Sequence, residues 1–285
     1  MPEPLKSGTD SKCTVLITHD VDALHRWDSD HLRHLLRTFP ESWKEQGLKA
    51  PARIPWALLR RFWDAPPLAE RIYQAFVLEK EYQVHATYFF FSPLRTHRRL
   101  RDGWYGEKTR FRSGQRLSAF WEELQASGFE IGLHLSTGAH ENPAAIKAEW
   151  ESLKQRVPKL ACNRSHCMKF KPGLTDKALK EAGALADLSL LKPDPASALL
   201  RIPADLWDGY LEAGGHSPDA VDSLWFEWEQ SLEEAYANQR LLTILLHPEN
   251  AGANQLLERL LEWIKTREVW TPTVSEFLAS NPRSL

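Results

Sequence analysis

The stretch TVLITHDVDAL, residues 14–24, joins a buried-strand pattern to a group of ionisable side chains. Its first half contains the unbroken apolar run VLI, which is typical of a strand covered on both faces in a parallel sheet. His19, Asp20 and Asp22 follow at the point where such a strand would leave the core. An imidazole and two carboxylates at the end of an apolar strand predict a functional site there.

Short apolar runs of the same kind recur along the chain and alternate with segments of helical spacing. Six further candidate strands lie at residues 85–91, 130–136, 162–168, 184–190, 199–203 and 241–247. One intervening segment opens on Asn142 and Pro143, a typical helix start. This alternation predicts an α/β fold in which helices cover a parallel sheet, either a barrel or a doubly wound sheet.

The length of 285 residues is compatible with one large domain. Region 25–80 is long for a single connection between strands, and it holds two helical patterns separated by a Pro-Pro break. We predict one domain over residues 1–285, with 25–80 as an elaborated helical insertion after the first strand.

Composition excludes several classes of function. The chain has 36 basic and 38 acidic residues and a net charge of −2, so nothing favours binding to nucleic acid. No apolar run is long enough to span a membrane, and the polar N-terminal stretch lacks a signal-peptide core. We therefore expect a cytoplasmic protein; the sequence does not indicate its oligomeric state.

Tryptophan is unusually frequent, with twelve residues. Several of them, such as Trp150 and Trp263, fall in helical patterns that favour packing. Trp104, Trp207 and Trp225 fall in stretches that contain Gly or Asp, and these three either pack in the core or line a cleft in which a sugar ring could stack.

Polar residues interrupt four of the candidate strands at or near their C-terminal ends. They are Asp20 and Asp22 after the first strand, His134 in the third, Arg164 and His166 in the fourth, and His247 in the last. Active sites of barrels and open parallel sheets are built at this edge. Asp and His are ligands of Zn²⁺, a further carboxylate can act as a base, and a further His can act as an acid.

These motifs resemble those of the polysaccharide deacetylases, the NodB-homology carbohydrate esterases related to family 4. THDVD at 18–22 resembles the first motif of that family, T-F-D-D, in a D-V-D variant. HATYFF resembles the A-T-F-F strand, EIGLHLSTGAH resembles the metal-binding H-[S/T]-x-x-H segment, and LLHPE resembles the late L-x-H motif. The similarity runs from residue 14 to about 250 and is closest to an uncharacterised THDVD-type branch.

The resemblance implies a distorted (β/α) barrel of about seven parallel strands and a divalent metal, most commonly Zn²⁺. It implies that Asp20 is the base, that Arg164 orients this base, and that His247 is the general acid. It also implies that Asp22 and His134 bind the metal.

Three departures from the family pattern leave the third metal ligand open. The second aspartate is displaced by one residue, because Val21 stands at its usual place. His134 and His140 are six residues apart where four is usual, and His166 replaces the usual proline. The third ligand is therefore His140 by motif order or His166 by its position near a strand end.

The sequence predicts a metal-dependent hydrolase that removes an N-acetyl or O-acetyl group from a sugar or related amide. The alternative is a non-catalytic carbohydrate-binding barrel that keeps the fold without the activity. A third possibility, a metal-free glycosidase with paired carboxylates, leaves the histidines unexplained.

Overall fold

The computed structural model describes residues 11, 13–22, 67–94, 115–189, 199–209, 211 and 218–280. Most of the predicted insertion, Trp104 and both chain termini lie outside these residues. Of the insertion, the structure describes a helix at its end. The prediction of a single domain stays a prediction.

The described chain contains nine parallel strands and seven α-helices. The strands are β1 (Cys13–Val21), β2 (Ala86–Phe91), β3 (Glu130–Leu135), β4 (Cys162–Ser165), β5 (Ala186–Asp187), β6 (Leu200–Arg201), β7 (Leu206–Trp207), β8 (Leu241–Leu246) and β9 (Val269–Trp270). The helices are α1 (Pro67–Glu81), α2 (Leu117–Ala126), α3 (Pro143–Lys154), α4 (Thr175–Ala182), α5 (Pro218–Ala237), α6 (Ala251–Lys265) and α7 (Val274–Ser280). All seven predicted strands are found, although β4, β5 and β6 are shorter than predicted, and the two-residue strands β7 and β9 were not predicted.

The sheet is a strongly curved partial barrel. Its strand order is β6-β5-β4-β3-β2-β1-β8-β7, and β9 pairs with the start of β1. Residues 202–205 connect β6 at one end of this order to β7 at the other. A connection this short reaches at most about 18 Å, so the sheet must curl until its two ends approach each other. The predicted distorted (β/α) barrel is confirmed.

Alternation along β1 separates two apolar layers. Val15 and Ile17 pack in a large cluster with residues of the surrounding helices, whereas Leu16 packs in a smaller cluster inside the curve of the sheet. Val274 and Leu278 of α7 belong to the inner cluster. We call the side of the sheet that carries Leu16 its inner face.

Helix α7 closes the N-terminal end of this partial barrel. Its first backbone amides donate to side chains of β2 and β3: Val274 to Thr87 Oγ1 at 3.1 Å and Ser275 to Glu130 Oε2 at 3.0 Å. Thr273 and Glu276 form a capping box that starts the helix. Helix α7 does not cover the opposite end, where the strands have their C-termini, so a functional site can form there. Among the described helices, none has the length and apolar character needed to cross a bilayer.

Gly132 makes room for a buried aromatic ring beneath the C-terminal edge. A Cβ added to Gly132 would lie 2.5 Å from the ring of Phe89, and this ring stacks against the Arg164 guanidinium at 4.7 Å. We expect Gly132→Ala to lower the free energy of unfolding by about 1–3 kcal/mol, the usual cost of overpacking a core, as measured by urea denaturation.

The partner variant Phe89→Leu tests the cause of this effect. If the added methyl group clashes with the ring, the double variant should lose less stability than the two single variants lose together. Strictly additive losses would show that the Phe89 ring is not what resists the methyl group.

Candidate metal centre and acid–base pairs

The end of β1 sorts its polar residues onto two faces of the sheet. Asp20 follows Leu16 at an even spacing, so its side chain lies on the inner face. His19 lies on the outer face, where its Nε2 contacts Glu79 Oε1 at 2.7 Å and its ring stacks on Tyr88 at 4.3 Å. The sequence pattern grouped His19 with the aspartates, and the structure separates them: His19 belongs to a buried packing cluster under α1.

Asp22, His134 and His166 meet at the C-terminal edge of the strands. Their ligand atoms all lie within 4.8 Å of one another. Asp22 Oδ1 is 2.8 Å from His134 Nε2, and Asp22 Oδ2 is 3.6 Å from His166 Nε2. Two ligands of a tetrahedral Zn²⁺ ion are separated by roughly 3.4 Å, given metal–ligand bonds of about 2.0–2.2 Å. The spacing of these three side chains suits one such ion.

Hydrogen bonding gives His134 the form that a metal ligand needs. Its Nδ1 donates to the carbonyl oxygen of Arg164 at 2.9 Å, and a carbonyl can only accept, so in the neutral ring Nε2 carries a lone pair. Asp22 Oδ1 and His134 Nε2 are both buried, and neither makes a hydrogen bond among the described residues. Two such atoms 2.8 Å apart share a cation, which is a proton on Nε2 or a metal ion, and the donor set fits a divalent metal.

The surroundings keep Asp22 ionised. Burial alone would raise the pKa of Asp22, but the imidazoles of His166, His134 and His247 outweigh it and hold this pKa well below its ordinary value. The backbone amide of Asp22 lies beyond the end of β1 and donates to Glu249 Oε1 at 3.2 Å. This bond anchors the displaced aspartate outside the strand ladder, and the sequence reading missed Glu249.

His140 is not part of this group in the described chain. It lies in a short 3₁₀ turn, Ala139–Glu141, and its Nε2 is 3.8 Å from Glu141 Oε1. Its carbonyl oxygen accepts a hydrogen bond from Thr175 of α4 at 2.7 Å. The turn therefore directs this part of the loop towards α4, and the geometry favours His166 over His140 as the third ligand.

A buried ion pair lies beside the three-ligand group. Arg164 is fully buried, and its Nη1 donates to Asp20 Oδ1 at 2.9 Å. Its other nitrogens donate to Thr18 Oγ1 at 2.9 Å and to the Leu188 carbonyl at 3.1 Å. Three hydrogen bonds, two to β1 and one to the segment after β5, hold the guanidinium, so Asp20 has a charge partner and a defined orientation.

A second acid–base pair joins His247 to Asp208. His247 Nδ1 donates to Asp208 Oδ1 at 2.6 Å, and the backbone amide of His247 donates to Asp208 Oδ2 at 2.8 Å. His247 Nε2 points back to the group, 3.8 Å from Asp22 Oδ2. Asp208 is fully buried and follows the two-residue strand β7, which is why the sequence pattern did not reveal it.

Comparison with solved structures identifies the fold. A protein assigned as a polysaccharide deacetylase from Mycobacterium smegmatis superposes with a TM-score of 0.61 at 17% identity, over 99% of this chain and 95% of that chain. A second, from Pseudomonas aeruginosa PAO1, gives a TM-score of 0.61 at 14% identity over the same shares. The chain has the polysaccharide deacetylase fold. The resemblance noted in the motifs is thus confirmed at the level of the fold.

The deacetylase fold also occurs in proteins with other described activities. PuuE allantoinase superposes with a TM-score of 0.60 at 13% identity, over 99% of this chain and 95% of that chain. At the level of sequence, the chain matches no protein-family model and no curated protein. Because the fold hosts more than one chemistry, function has to be argued from the site.

Proposed function

We propose that this protein is a metal-dependent hydrolase that removes an N-acetyl or O-acetyl group from a sugar or related amide. One observation carries the proposal: a three-ligand group lies at the C-terminal edge of a deacetylase-type sheet, with a paired carboxylate and a paired imidazole beside it. A metal site, a general base and a general acid are together suited to the hydrolysis of an amide or ester.

Asp22, His134 and His166 would hold the metal. Two imidazole nitrogens and one carboxylate oxygen suit Zn²⁺ and leave a fourth position open. When bound, such an ion supplies Lewis-acid chemistry: it lowers the pKa of water and polarises an acyl carbonyl.

Asp20 is the base in this proposal. The residue is 4% exposed, and Arg164 Nη1 donates to Oδ1, so in this proposal Oδ2 takes a proton from the attacking water. Arg164 acts through Asp20 and is a positioning residue.

His247 is the general acid. The Asp208 carboxylate accepts from Nδ1 and stabilises the protonated ring, which leaves Nε2–H to protonate the departing amine or alcohol. Asp20 and His247 reach the group from neighbouring strands, so one takes a proton while the other delivers one.

An exposed aromatic side chain supports a sugar substrate. Trp207 of β7 is in register with Leu245 of β8, which is also in register with Thr18 of β1, so Trp207 shares the face that carries Asp20. Its side chain is 40% exposed, and an exposed indole on the site face suits stacking against a sugar ring. Trp225, by contrast, packs against the large core cluster.

Metal removal tests the proposal. We expect the protein to bind one equivalent of Zn²⁺ and to release acetate from members of a panel of N- and O-acetylated saccharides. Dialysis against a chelator should abolish this release and added Zn²⁺ should restore it, as measured by acetate quantification beside metal analysis. Sugar binding without any metal uptake would favour the non-catalytic barrel, and cleavage of the glycosidic bond that survives the chelator would favour the glycosidase.

A further inference from the structure

The loop after β3 contacts the third proposed ligand. Thr137 is 2% exposed, and its Oγ1 lies 3.2 Å from His166 Nδ1. His166 Nε2 is on the opposite side of the ring and lies 3.6 Å from Asp22 Oδ2. The hydroxyl thus contacts the ring nitrogen that would not bind the metal.

We propose that Thr137 is a positioning residue for His166. Nδ1–H of His166 donates to the hydroxyl oxygen of Thr137, which leaves the Nε2 lone pair directed at Asp22 and sets the rotation of the ring. This inference rests on the proposed function, because it assumes that His166 is a metal ligand.

His166 needs support from outside its own strand. Strand β4 ends at Ser165, and His166 begins a 3₁₀ turn in which Cys167 and Met168 have positive φ values of 57° and 53°. His134, by comparison, lies within β3 and has the Arg164 carbonyl as its partner. The ladder that orients His134 does not extend to His166, and the Thr137 side chain from the loop after β3 contacts its ring instead.

A buried carboxylate holds that loop in place. Glu149 of α3 is fully buried, and its Oε2 accepts the backbone amide of Ser136 at 3.0 Å. Its Oε1 accepts the hydroxyl of the same serine. The Ser136 carbonyl then accepts the amide of Ala139 at 3.1 Å and closes a turn in which Gly138 has a φ of 92°. Ser136 is thereby fixed from both sides, and Thr137 follows it directly.

The substitutions Thr137→Val and Thr137→Ser separate the hydroxyl from the shape of the side chain. Valine has nearly the same volume and lacks the acceptor, whereas serine keeps it. We expect Thr137→Val to weaken Zn²⁺ binding by about 10- to 100-fold, the usual cost of losing such a partner of a metal-binding histidine. Thr137→Ser should bind Zn²⁺ like the wild-type protein. Affinities are measured by competition with a chromophoric chelator.

Thr175→Val is the matched control. Thr175 is also fully buried, and its hydroxyl donates to the carbonyl of His140 at 2.7 Å. The same hydroxyl accepts the Lys171 amide at 3.0 Å, so this variant loses two hydrogen bonds and should reduce stability without changing Zn²⁺ affinity. An equal weakening in Thr175→Val and Thr137→Val would overturn the specific role of Thr137.

A fourth variant, His166→Ala, distinguishes failure of this inference from failure of the proposed function. If His166→Ala loses Zn²⁺ while Thr137→Val keeps wild-type affinity, Thr137 does not position the ligand and the metal centre stands. If His166→Ala binds Zn²⁺ as the wild-type protein does, the ligand assignment itself is wrong. Equal weakening in Thr137→Val and Thr137→Ser would show that the hydroxyl is not the cause.

Discussion

Zn²⁺ binding should be lost when Asp22 is replaced by alanine. Asp22 is the only carboxylate of the described three-ligand group, and it contacts both histidines of that group. Without it, two neutral imidazoles remain in the group. The Zn²⁺ affinity should therefore fall by more than the 10- to 100-fold typical of losing a residue that only hydrogen-bonds to a metal ligand. Competition titration with a chelator measures the affinity, and acetate release should fall to background.

Asp219→Ala provides the control for this loss. Asp219 is exposed in the first turn of α5, so its removal takes away the same charge without touching the group. It should leave both Zn²⁺ affinity and acetate release unchanged. Stoichiometric, tight Zn²⁺ binding by Asp22→Ala would place the metal elsewhere and would remove the basis of the proposed function.

Replacing Asp20 with asparagine should stop turnover while the metal stays bound. The amide oxygen of asparagine can still accept the hydrogen bond from Arg164 Nη1, so the fold around the guanidinium should be kept. An amide cannot take a proton from water, and loss of a general base typically lowers kcat by about 10²–10⁴-fold. Steady-state kinetics on an accepted saccharide, beside metal analysis, measures both quantities.

A second buried Asp–Arg pair serves as the comparison for Asp20→Asn. Asp187 is fully buried and lies 3.2 Å from Arg201 Nη2, in the neighbouring strands β5 and β6. Asp187→Asn perturbs a pair of the same kind whose carboxylate is neither a proposed ligand nor the proposed base, so it should affect stability more than kcat. Near wild-type kcat in Asp20→Asn would exclude Asp20 as the base.

Much of the fold could be predicted because local pattern and packing agree. Runs such as LLTILL of β8 are apolar apart from one threonine, as expected of strands buried on both faces, and helical segments separate most of them. Parallel strands in this arrangement place their C-terminal ends at one edge, which is why Asp22, His134 and His247 could be expected to meet. That expectation needs only the order of elements along the chain.

The partners of these residues could not be predicted in the same way. Asp208 follows a strand of two residues, and Glu249 and Thr137 lie in loops, where no periodic pattern assigns a side chain to a face. His19 looked like a site residue beside Asp20, but strict alternation along β1 turned it towards Glu79. Such contacts depend on segments far apart in the chain.

The third metal ligand shows most clearly what the sequence could not decide. The sequence left two candidates, His140 by motif order and His166 by its position near a strand end. Folding separates them: the turn that holds His140 packs on α4, whereas the turn after β4 brings His166 to Asp22. Strand periodicity is a local property and can be read along the chain, but the direction of a side chain in a turn is set by the elements packed against it.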